Sequence, residues 1–417
     1  MGVGPILLFD KSTLESLSVD EAVWFDTHYR PNITPLFFVE TLADLEKEVD
    51  RGRTPEQVVG NLAEKTPTGS PPNVHHLTLC LGELQGHPVE MRRFPIIGGG
   101  RRVKSGERKG IVFEQPREFV ALQRWQEGKF LEVERDFARG WRQALSNLDL
   151  DGLYHKGKQV IDRLGRPRDL AEAKSMAVTL LAKAGSRSMS DALQALAINE
   201  TAHREIVERW KAKGEPPLAT LVPYTAHVLT VDLFFCIALG ADLISRDRPS
   251  NKIDIAYLYY LPFCMAFVSG DKLHARTARL FIKEDQVFIW GPELKADLYK
   301  LDAHYAALPE EVKKRGVMSF AYYPPTDGDF LASRLWDKMM RPGWRENATR
   351  QREPISEKSR DALMHSFRQI TDAPQAEGRE AEFGSEEADA VVFTQKVPIF
   401  RGKWRMVPPE VEAEAEG

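Results

Sequence analysis

Four acidic residues of this 417-residue chain stand at the ends of predicted elements. Asp10 follows the strand-like run "PILLF", and Glu40 lies where an extended run turns helical. Asp254 opens the apolar stretch "IAYLYYLPFC", and Asp271 follows the strand-like run "AFVS". The carboxyl ends of parallel strands meet at one edge of a sheet, so we expect these acids to converge there. Their mutual repulsion would be costly without a hard cation, so the pattern predicts an Mg²⁺ or Mn²⁺ site.

Each of these acids, taken alone, also has a simpler explanation. Asp10, Asp254 and Asp271 could each cap the helix that follows, which is a common role of Asp at a helix start. Glu40 could be a first-turn residue that the helix dipole favours. Only the coincidence of all four in this order and context favours a shared site.

Three further acids have simpler explanations than a place in the shared site. Asp44, one helical turn after Glu40, and Asp247 are possible supplementary acids, but a solvated surface position explains each of them. Asp232 stands within an apolar helical pattern, where it could pair with a basic group.

The elements that must position the four acids read as an α/β domain. The first fifty residues follow the order β–α–(β)–α, and dense apolar segments with strand-like runs return between 222 and 295. The sequence therefore predicts a discontinuous α/β domain formed by residues 1–50 and 222–295.

The other segments surround this domain. Residues 51–221 are dominated by helix formers and predict a mainly helical insertion, which also contains a basic loop at 91–110. Residues 296–371 mix short helical patterns with Pro-rich turns and predict a C-terminal extension. Two acidic, polar segments, 372–391 and 410–417, predict disorder.

The order of the four acids and their strand or helix context resemble the PIN-domain nucleases. The matching motifs are "LLFDKS", "FFVETLADL", "IDIAYLYYLPFC" and "FVSGDKLH". The resemblance covers residues 1–50 and 222–295 and requires a large helical insertion between them. It implies an α/β/α sandwich around a parallel sheet and a mostly ribonucleolytic activity.

By this resemblance, the catalytic and metal-binding acids are Asp10, Glu40, Asp254 and Asp271. Ser269 takes the place of the small hydroxyl residue two positions before the last acid. The implied reaction is hydrolysis of a phosphodiester bond with one or two Mg²⁺ or Mn²⁺ ions, which leaves a 5′-phosphate and a 3′-hydroxyl.

The implied chemistry requires no histidine base, but His274 lies one helical turn beyond Asp271, where it could contact substrate. Two alternative functions stay open. One is a catalytically inactive PIN-like scaffold that binds nucleic acid or protein, and the other is a DNA-directed nuclease of a defence or repair system. A homo-oligomer or an inhibitor protein as partner is equally open.

The basic stretch "MRRFPIIGGGRRVKSGERKG" (91–110) could hold a nucleic acid. It carries seven cations against a single acid, Glu107, and its glycines would let the backbone approach phosphates. It lacks the Gly-Lys-Ser/Thr ending of a P-loop. The alternative is a solvated, flexible loop. The first explanation predicts that RNA contacts these cations beside the acidic centre: Arg92, Arg93, Arg101, Arg102, Lys104, Arg108 and Lys109.

Composition favours a soluble, cytoplasmic protein. The formal net charge is −4, so a polyanionic partner needs a local basic patch. The most apolar segment, 227–244, carries Asp232 and Asp242, which a bilayer would penalise, so it predicts a buried helix and no membrane contact. The three cysteines lie in apolar stretches, which favours buried thiols in a reducing compartment: Cys80, Cys236 and Cys264.

Overall fold

A computed structural model gives the fold for most of the chain. The described residues are 4–49, 52–68, 72–115, 117–146, 149–182, 193, 200–349, 357–373, 388–394 and 397–409. The segment 410–417 and residues 374–387 of the segment 372–391, both predicted to be disordered, lie outside the described residues. At the end of the second segment, residues 390 and 391 belong to a strand.

The described residues form nine strands. They are β1 (Ile6–Phe9), β2 (Arg30–Asn32), β3 (Gly100–Ser105), β4 (Arg108–Phe113), β5 (Ala266–Ser269), β6 (Val287–Trp290), β7 (Ala390–Phe393), β8 (Phe400–Arg401) and β9 (Trp404–Arg405).

Helices make up the larger part of the described chain. They are α1 (Lys11–Ser16), α2 (Val19–His28), α3 (Pro35–Val49), α4 (Pro55–Lys65), α5 (His76–Gln85), α6 (Arg117–Gln126), α7 (Glu132–Ser146), α8 (Leu150–Leu164), α9 (Leu170–Ala182), α10 (Glu200–Ala212), α11 (Leu218–Leu221), α12 (Pro223–Gly240), α13 (Asn251–Ala256), a 3₁₀ helix (Tyr257–Phe263), α14 (Lys272–Phe281), α15 (Gly291–Ala306), α16 (Glu310–Lys313), α17 (Val317–Phe320), α18 (Leu331–Met339), α19 (Trp344–Thr349) and α20 (Glu357–Thr371).

The central sheet is parallel and has the strand order β2-β1-β5-β6. The chain moves from β1 outward to β2, but from β5 it moves outward in the opposite direction to β6. The order therefore reverses between β1 and β5, and in open α/β sheets a crevice opens at that point beyond the carboxyl ends of the strands. The predicted α/β class is confirmed at this level.

Both faces of the sheet are covered, as parallel sheets require. Along β1, the side chains of Ile6 and Leu8 enter one hydrophobic core, and those of Leu7 and Phe9 enter another. The first core contains α12 and the 3₁₀ helix, and the second contains α1, α2 and α15. Successive side chains along a strand point to opposite faces of the sheet, so a buried strand contributes to both cores.

Helices of the predicted insertion, 51–221, pack against both cores. Helices α4 and α6 contribute to the second core, whereas α8 and α9 pack on α12 in the first. Gly157 allows the close approach of α8, because a Cβ atom there would lie 1.9 Å from the carbonyl oxygen of Cys236. The division of the chain into separate domains stays a prediction.

The predicted basic loop is a β-hairpin over most of its length. Strands β3 and β4 pair antiparallel from Gly100↔Phe113 to Ser105↔Arg108, and β7 lies parallel to β4. The alternative of a flexible loop is therefore wrong for residues 100–110. Sequence reasoning missed the hairpin because its many cations masked the alternation of buried and exposed positions. Val103 and Val112 are the buried positions of that alternation.

Helix α12 has the length and apolar composition of a membrane span, with a mean hydropathy of 1.4, but 67% of it is buried inside the chain. Its Asp232 pairs with Lys252, as the sequence suggested for this acid. These contacts are those of a core helix.

Candidate active site at the carboxyl edge of the sheet

Asp10 lies directly after β1 and caps α1. Its Oδ1 accepts hydrogen bonds from the Thr13 N–H (2.9 Å) and hydroxyl (2.6 Å). Its Oδ2 accepts from the hydroxyls of Ser12 (2.9 Å) and Ser269 (2.6 Å). Asp10 is buried. It caps α1, as the simpler explanation predicted, and it also contacts Ser269 at the end of β5.

Ser269 joins the ends of β1 and β5. Its hydroxyl donates to Asp10, and its Oγ accepts the backbone N–H of Asp271 at 2.9 Å. Asp271 in turn caps α14, since its Oδ1 accepts from the N–H groups of Leu273 and His274. The predicted hydroxyl and two of the predicted acids therefore meet across the crevice.

His274 is fully buried beneath these groups. Its Nδ1 lies 2.8 Å from Ser269 Oγ and 3.4 Å from Asp10 Oδ2, and its Nε2 lies 2.6 Å from the carbonyl oxygen of Asp254. A carbonyl only accepts, so Nε2 carries a hydrogen. The Ser269 hydrogen already points to Asp10, so Nδ1 donates as well. The ring is an imidazolium, and the expectation that His274 contacts substrate does not fit its burial.

Charge pairing agrees with this protonation. Burial alone would lower the pKa of His274, but its hydrogen bond to Asp10 and the negative charge there outweigh burial and raise that pKa to about 9. Burial would raise the pKa of Asp10, but His274, Ser269 and Thr13 together lower it to about 2. Asp10 and His274 form a buried ion pair.

The pKa values of Glu40 and Asp254 are raised, whereas that of Asp10 is lowered. Burial and the charges of Asp10 and Asp254 raise the pKa of Glu40 to about 8, while its Oε2 accepts a hydrogen bond from the Tyr257 hydroxyl at 2.8 Å. Burial and the charges of Asp271 and Asp10 raise the pKa of Asp254 to about 7. The carboxyl group of Asp254 accepts no hydrogen bond from the described residues. These mutual effects mean that the four acids share one electrostatic environment.

The chain path brings Asp254 and Asp271 together although seventeen positions separate them. Helix α13 and the 3₁₀ helix run from the carboxyl edge of the sheet to Phe263, before the start of β5, and β5 then returns to that edge. The contact between Asp254 and the ring of His274 closes this path. The apolar run therefore has an acid at each end because both of its ends lie at this crevice.

Sequence reasoning missed a buried lysine at the site. Lys11, the residue after Asp10, pairs with Asp44 (3.0 Å) and Glu15 (2.9 Å), whose charges raise its pKa although burial alone would lower it. Asp44 is therefore part of the site's surroundings rather than a surface acid. Asp247 is exposed and accepts from Ser245, as its surface explanation predicted. The sequence signal that could have revealed this feature is the lysine directly after Asp10.

A groove of about 680 Å³ adjoins the cluster at the same edge. Residues that follow three of the parallel strands border it, including Ser12 after β1, Gly270 after β5 and Gly291 after β6. Lys295 and the exposed Tyr299 line its wall on α15. The groove is large enough for a small ligand or a piece of a polymer.

The donor set at the edge suits a hard divalent cation only in part. Among the described residues, no group of three or more His, Cys, Asp or Glu side chains is arranged to hold a metal ion. Both oxygens of Asp10 already accept protein hydrogen bonds. However, Mg²⁺ is often held by one or two carboxylates together with waters and substrate phosphates. Asp254 and Asp271 fit that pattern, because each has a carboxylate oxygen that accepts no hydrogen bond from the described residues.

The basic residues are not grouped beside the acids. Arg93 holds Asp285 through two nitrogens (2.7 and 3.2 Å), and its N–H donates to Pro262. Asp285 and Pro262 precede β6 and β5, so Arg93 lies at the amino edge of the sheet, about 13 Å of strand away from the acids. A role for Arg93 in nucleic-acid binding stays a prediction, but not as a clamp beside this cluster.

Of the other six cations, five stand on the strands of the hairpin, and Arg92 precedes it in the chain. Arg92 is exposed and lies 3.5 Å from Glu90. Arg101 pairs with Glu114 at 3.2 Å, and Arg108 contacts the Ser366 hydroxyl on α20. The remaining three stand on the opposite face of the hairpin: Arg102, Lys104 and Lys109.

No protein-family model, curated protein or solved structure matches this chain.

Proposed function

We propose that the chain is a metal-dependent nuclease of the PIN-like type, which hydrolyses phosphodiester bonds in RNA. The observation that carries the proposal is the convergence of Asp10, Glu40, Asp254 and Asp271 at the crevice between β1 and β5. These acids come from four separate parts of the sequence: Asp10 and Asp271 follow parallel strands, and Glu40 and Asp254 lie on helices whose side chains reach the same cluster. A purely structural role would not require carboxyl groups so close together that the neighbouring acids raise the pKa values of Glu40 and Asp254.

The PIN-like assignment extends this proposal to the whole architecture. The sandwich of helices on both faces of the parallel sheet supports it, as does the order of the acids along the chain. In this assignment residues 51–221 are an insertion that packs back onto the sheet. Residues 296–371 are a C-terminal extension, whose helix α18 contributes to the second core.

In the proposed reaction the residues of this chain divide the work. Asp254 and Asp271 would hold Mg²⁺ or Mn²⁺ together with waters and a substrate phosphate, and the Glu40 carboxylate would add negative charge beside them. The bound cation supplies a Lewis acid and an activated water for phosphodiester hydrolysis. Asp10, Ser269 and His274 keep the ends of β1, β5 and α14 at fixed separation. The groove at Gly270 and Gly291 would receive the nucleotides beside the scissile bond.

A second candidate has a specific observation in its favour. The ion pair with His274 already neutralises Asp10, and each of its carboxylate oxygens accepts two hydrogen bonds from the protein, which leaves little room for a cation. This arrangement favours a catalytically inactive PIN-like scaffold that binds nucleic acid through the same surface. The two candidates differ in whether purified protein cleaves RNA when Mn²⁺ is present.

The test compares cleavage of single-stranded RNA by wild type and by Asp254→Asn and Asp271→Asn, with single-stranded DNA at matched salt in parallel. Asp254→Asn is the sharper variant because no described hydrogen bond depends on that carboxyl group. Asp247→Asn, at an exposed position, is the matched control. We expect the two site variants to lose about 100-fold or more of the activity. Cleavage equal to wild type in Asp254→Asn and Asp271→Asn would contradict the assigned centre, and preferential cleavage of DNA would contradict RNA as substrate.

The state of the cysteines supports a reducing compartment, and we propose the cytoplasm. Cys80, Cys236 and Cys264 are free thiols, and burial raises the pKa of each. Such thiols are unreactive and need no oxidising environment.

A further inference from the structure

Strands β3, β4 and β7 form a second sheet with two different faces. Residues that stand directly opposite each other in an antiparallel pair point to the same face. The register therefore puts Val103, Gly110 and Val112 on one face, which packs against Ile370 and Ala373 on or next to α20. This inner face accounts for the stability of the sheet.

The outer face carries cations and rings. Arg102, Lys104 and Lys109 stand on it, with Ile111 and Phe113 of β4. The parallel pairing adds Val391 and Phe393, which lie beside Ile111 and Phe113. The two phenylalanine rings are stacked, with centroids 4.9 Å apart and planes inclined by 12°. Val391 is 41% exposed, so this face is open to solvent in the described part of the chain.

Two lysines on this face oppose each other directly. Lys104 and Lys109 are cross-strand partners, both are exposed, and neither forms an ion pair with a described residue. The carboxylate of Asp389 is directed to the backbone N–H of Lys109 (2.8 Å). Like charges directly opposite each other destabilise a sheet. The pair is therefore a cost to folding that an anionic ligand would remove.

Aromatic rings beside cations are typical of a surface that binds single-stranded nucleic acid. Proteins that bind single-stranded nucleic acid combine cations, which follow the phosphates, with aromatic faces on which unpaired bases stack. Phe113 also lies close over Gly100, where a Cβ atom would come within 3.0 Å of its ring. Gly100 therefore leaves room for the Phe113 ring, which stacks on the Phe393 ring.

We propose that this outer face, formed by β3, β4 and β7, binds single-stranded RNA. Lys104, Lys109 and Arg102 contact phosphates, and the stacked pair Phe113–Phe393 receives a base. The choice of RNA rests on the proposed function. The face includes strand β7, so residues near 390 complete a surface whose other strands lie near 100–113. It is a binding surface separate from the acidic cluster, and it holds the substrate without taking part in its cleavage.

The test measures binding without cleavage. Full-length protein with Asp254→Asn, in the presence of a chelator, is titrated into fluorescent single-stranded RNA over a range of salt concentrations. Lys104→Ala/Lys109→Ala is compared with Lys211→Ala/Lys213→Ala, which removes two exposed lysines of the α10 region. We expect the first pair alone to reduce the salt slope by about 1.4, because each phosphate contact on a single strand contributes about 0.7.

Phe393→Leu tests the stacking. It keeps an apolar side chain at the position, so we expect the melting temperature to change little while the affinity for RNA falls about 10-fold at an unchanged salt slope. Duplex RNA of the same sequence should bind more weakly than the single strand. The proposal is overturned if both lysine pairs behave alike, if Phe393→Leu leaves the affinity unchanged, or if duplex binds as well as single strand. Binding is measured without metal, so failure of the proposed nuclease activity leaves these outcomes readable.

Discussion

The ring of His274 lies 3.4 Å from the carboxylate of Asp10, and both side chains are buried. This pair explains how four acids can meet at one edge of a sheet. One negative charge is neutralised by an imidazolium, and Glu40 and Asp254, whose pKa values are raised to about 8 and about 7, hold protons over much of the neutral range. The cluster therefore contains far less net negative charge than its composition suggests.

The His274–Asp10 pair predicts how stability depends on pH. The pKa of His274 rises from 6.5 in the unfolded chain to about 9 in the folded one. Its contribution is therefore complete below pH 6.5 and is lost as the pH rises to about 9, since the folded state then binds the extra proton. Asp10 acts in the opposite direction, because its stabilisation is lost as the pH falls from 3.8 to about 2.

Urea denaturation across this range measures the effect. Glu40, with a pKa of about 8, still loses its proton in the same range, so the contribution of His274 is the difference between wild type and His274→Gln. His274→Gln should have a lower free energy of unfolding than wild type at pH 6 and a smaller decrease above pH 8. An equal decrease in wild type and variant would show that the ring is neutral.

Asp254→Asn is expected to stabilise the fold. The pKa of Asp254 is raised from 3.8 to about 7, so the unfolded state releases its proton first and stability falls as the pH rises through this interval. The uncharged amide removes that loss. Since the side chain is partly exposed, we expect a gain of about 1–3 kcal/mol at pH 8. Asp247→Asn should change the free energy of unfolding by less than about 0.5 kcal/mol. A lower melting temperature for Asp254→Asn would contradict the raised pKa.

The site could be predicted from the sequence where the ends of strands position it. Asp10 and Asp271 follow β1 and β5 within two residues and Ser269 ends β5, so local patterns were sufficient to bring them together. His274 was assigned to the substrate because a sequence does not reveal that a polar ring is buried between a carboxylate and a carbonyl. The sheet β3–β4–β7 was out of reach for another reason. Its pairing of Gly110 with Ala390 joins residues 280 positions apart, and no local pattern specifies such a contact.

Metal binding should release protons. Glu40 and Asp254 hold protons below their raised pKa values, and a bound cation requires their ionised forms. We expect release of between one and two protons per cation at pH 6, and less than one above pH 8. Calorimetric titration with Mn²⁺ in buffers of different ionisation enthalpy measures this number. Asp254→Asn should reduce it by about one, whereas Asp247→Asn should not. Mn²⁺ binding without proton release in wild type would exclude a cation bound at Asp254 beside Glu40.

A second ion pair fixes the element that carries Asp254. Asp232 of α12 contacts both the ammonium group of Lys252 and the hydroxyl of Tyr259, and these two groups lie 2.9 Å apart. Lys252 precedes Asp254 by two residues and Tyr259 follows it by five, so α12 holds the chain on both sides of this acid. We therefore regard Lys252 and Asp232 as positioning residues for the acidic cluster.

A double-mutant cycle tests this role. Asp232→Asn leaves Lys252 without its counter-charge, and we expect a loss of about 1–3 kcal/mol, because both side chains keep some contact with solvent. Adding Lys252→Met removes the unpaired charge and should restore much of that stability. If the pair also positions Asp254, the double variant should regain stability but not the affinity for Mn²⁺, which a merely structural pair would leave at the wild-type value. Full recovery of both quantities in the double variant would limit the pair to a structural role.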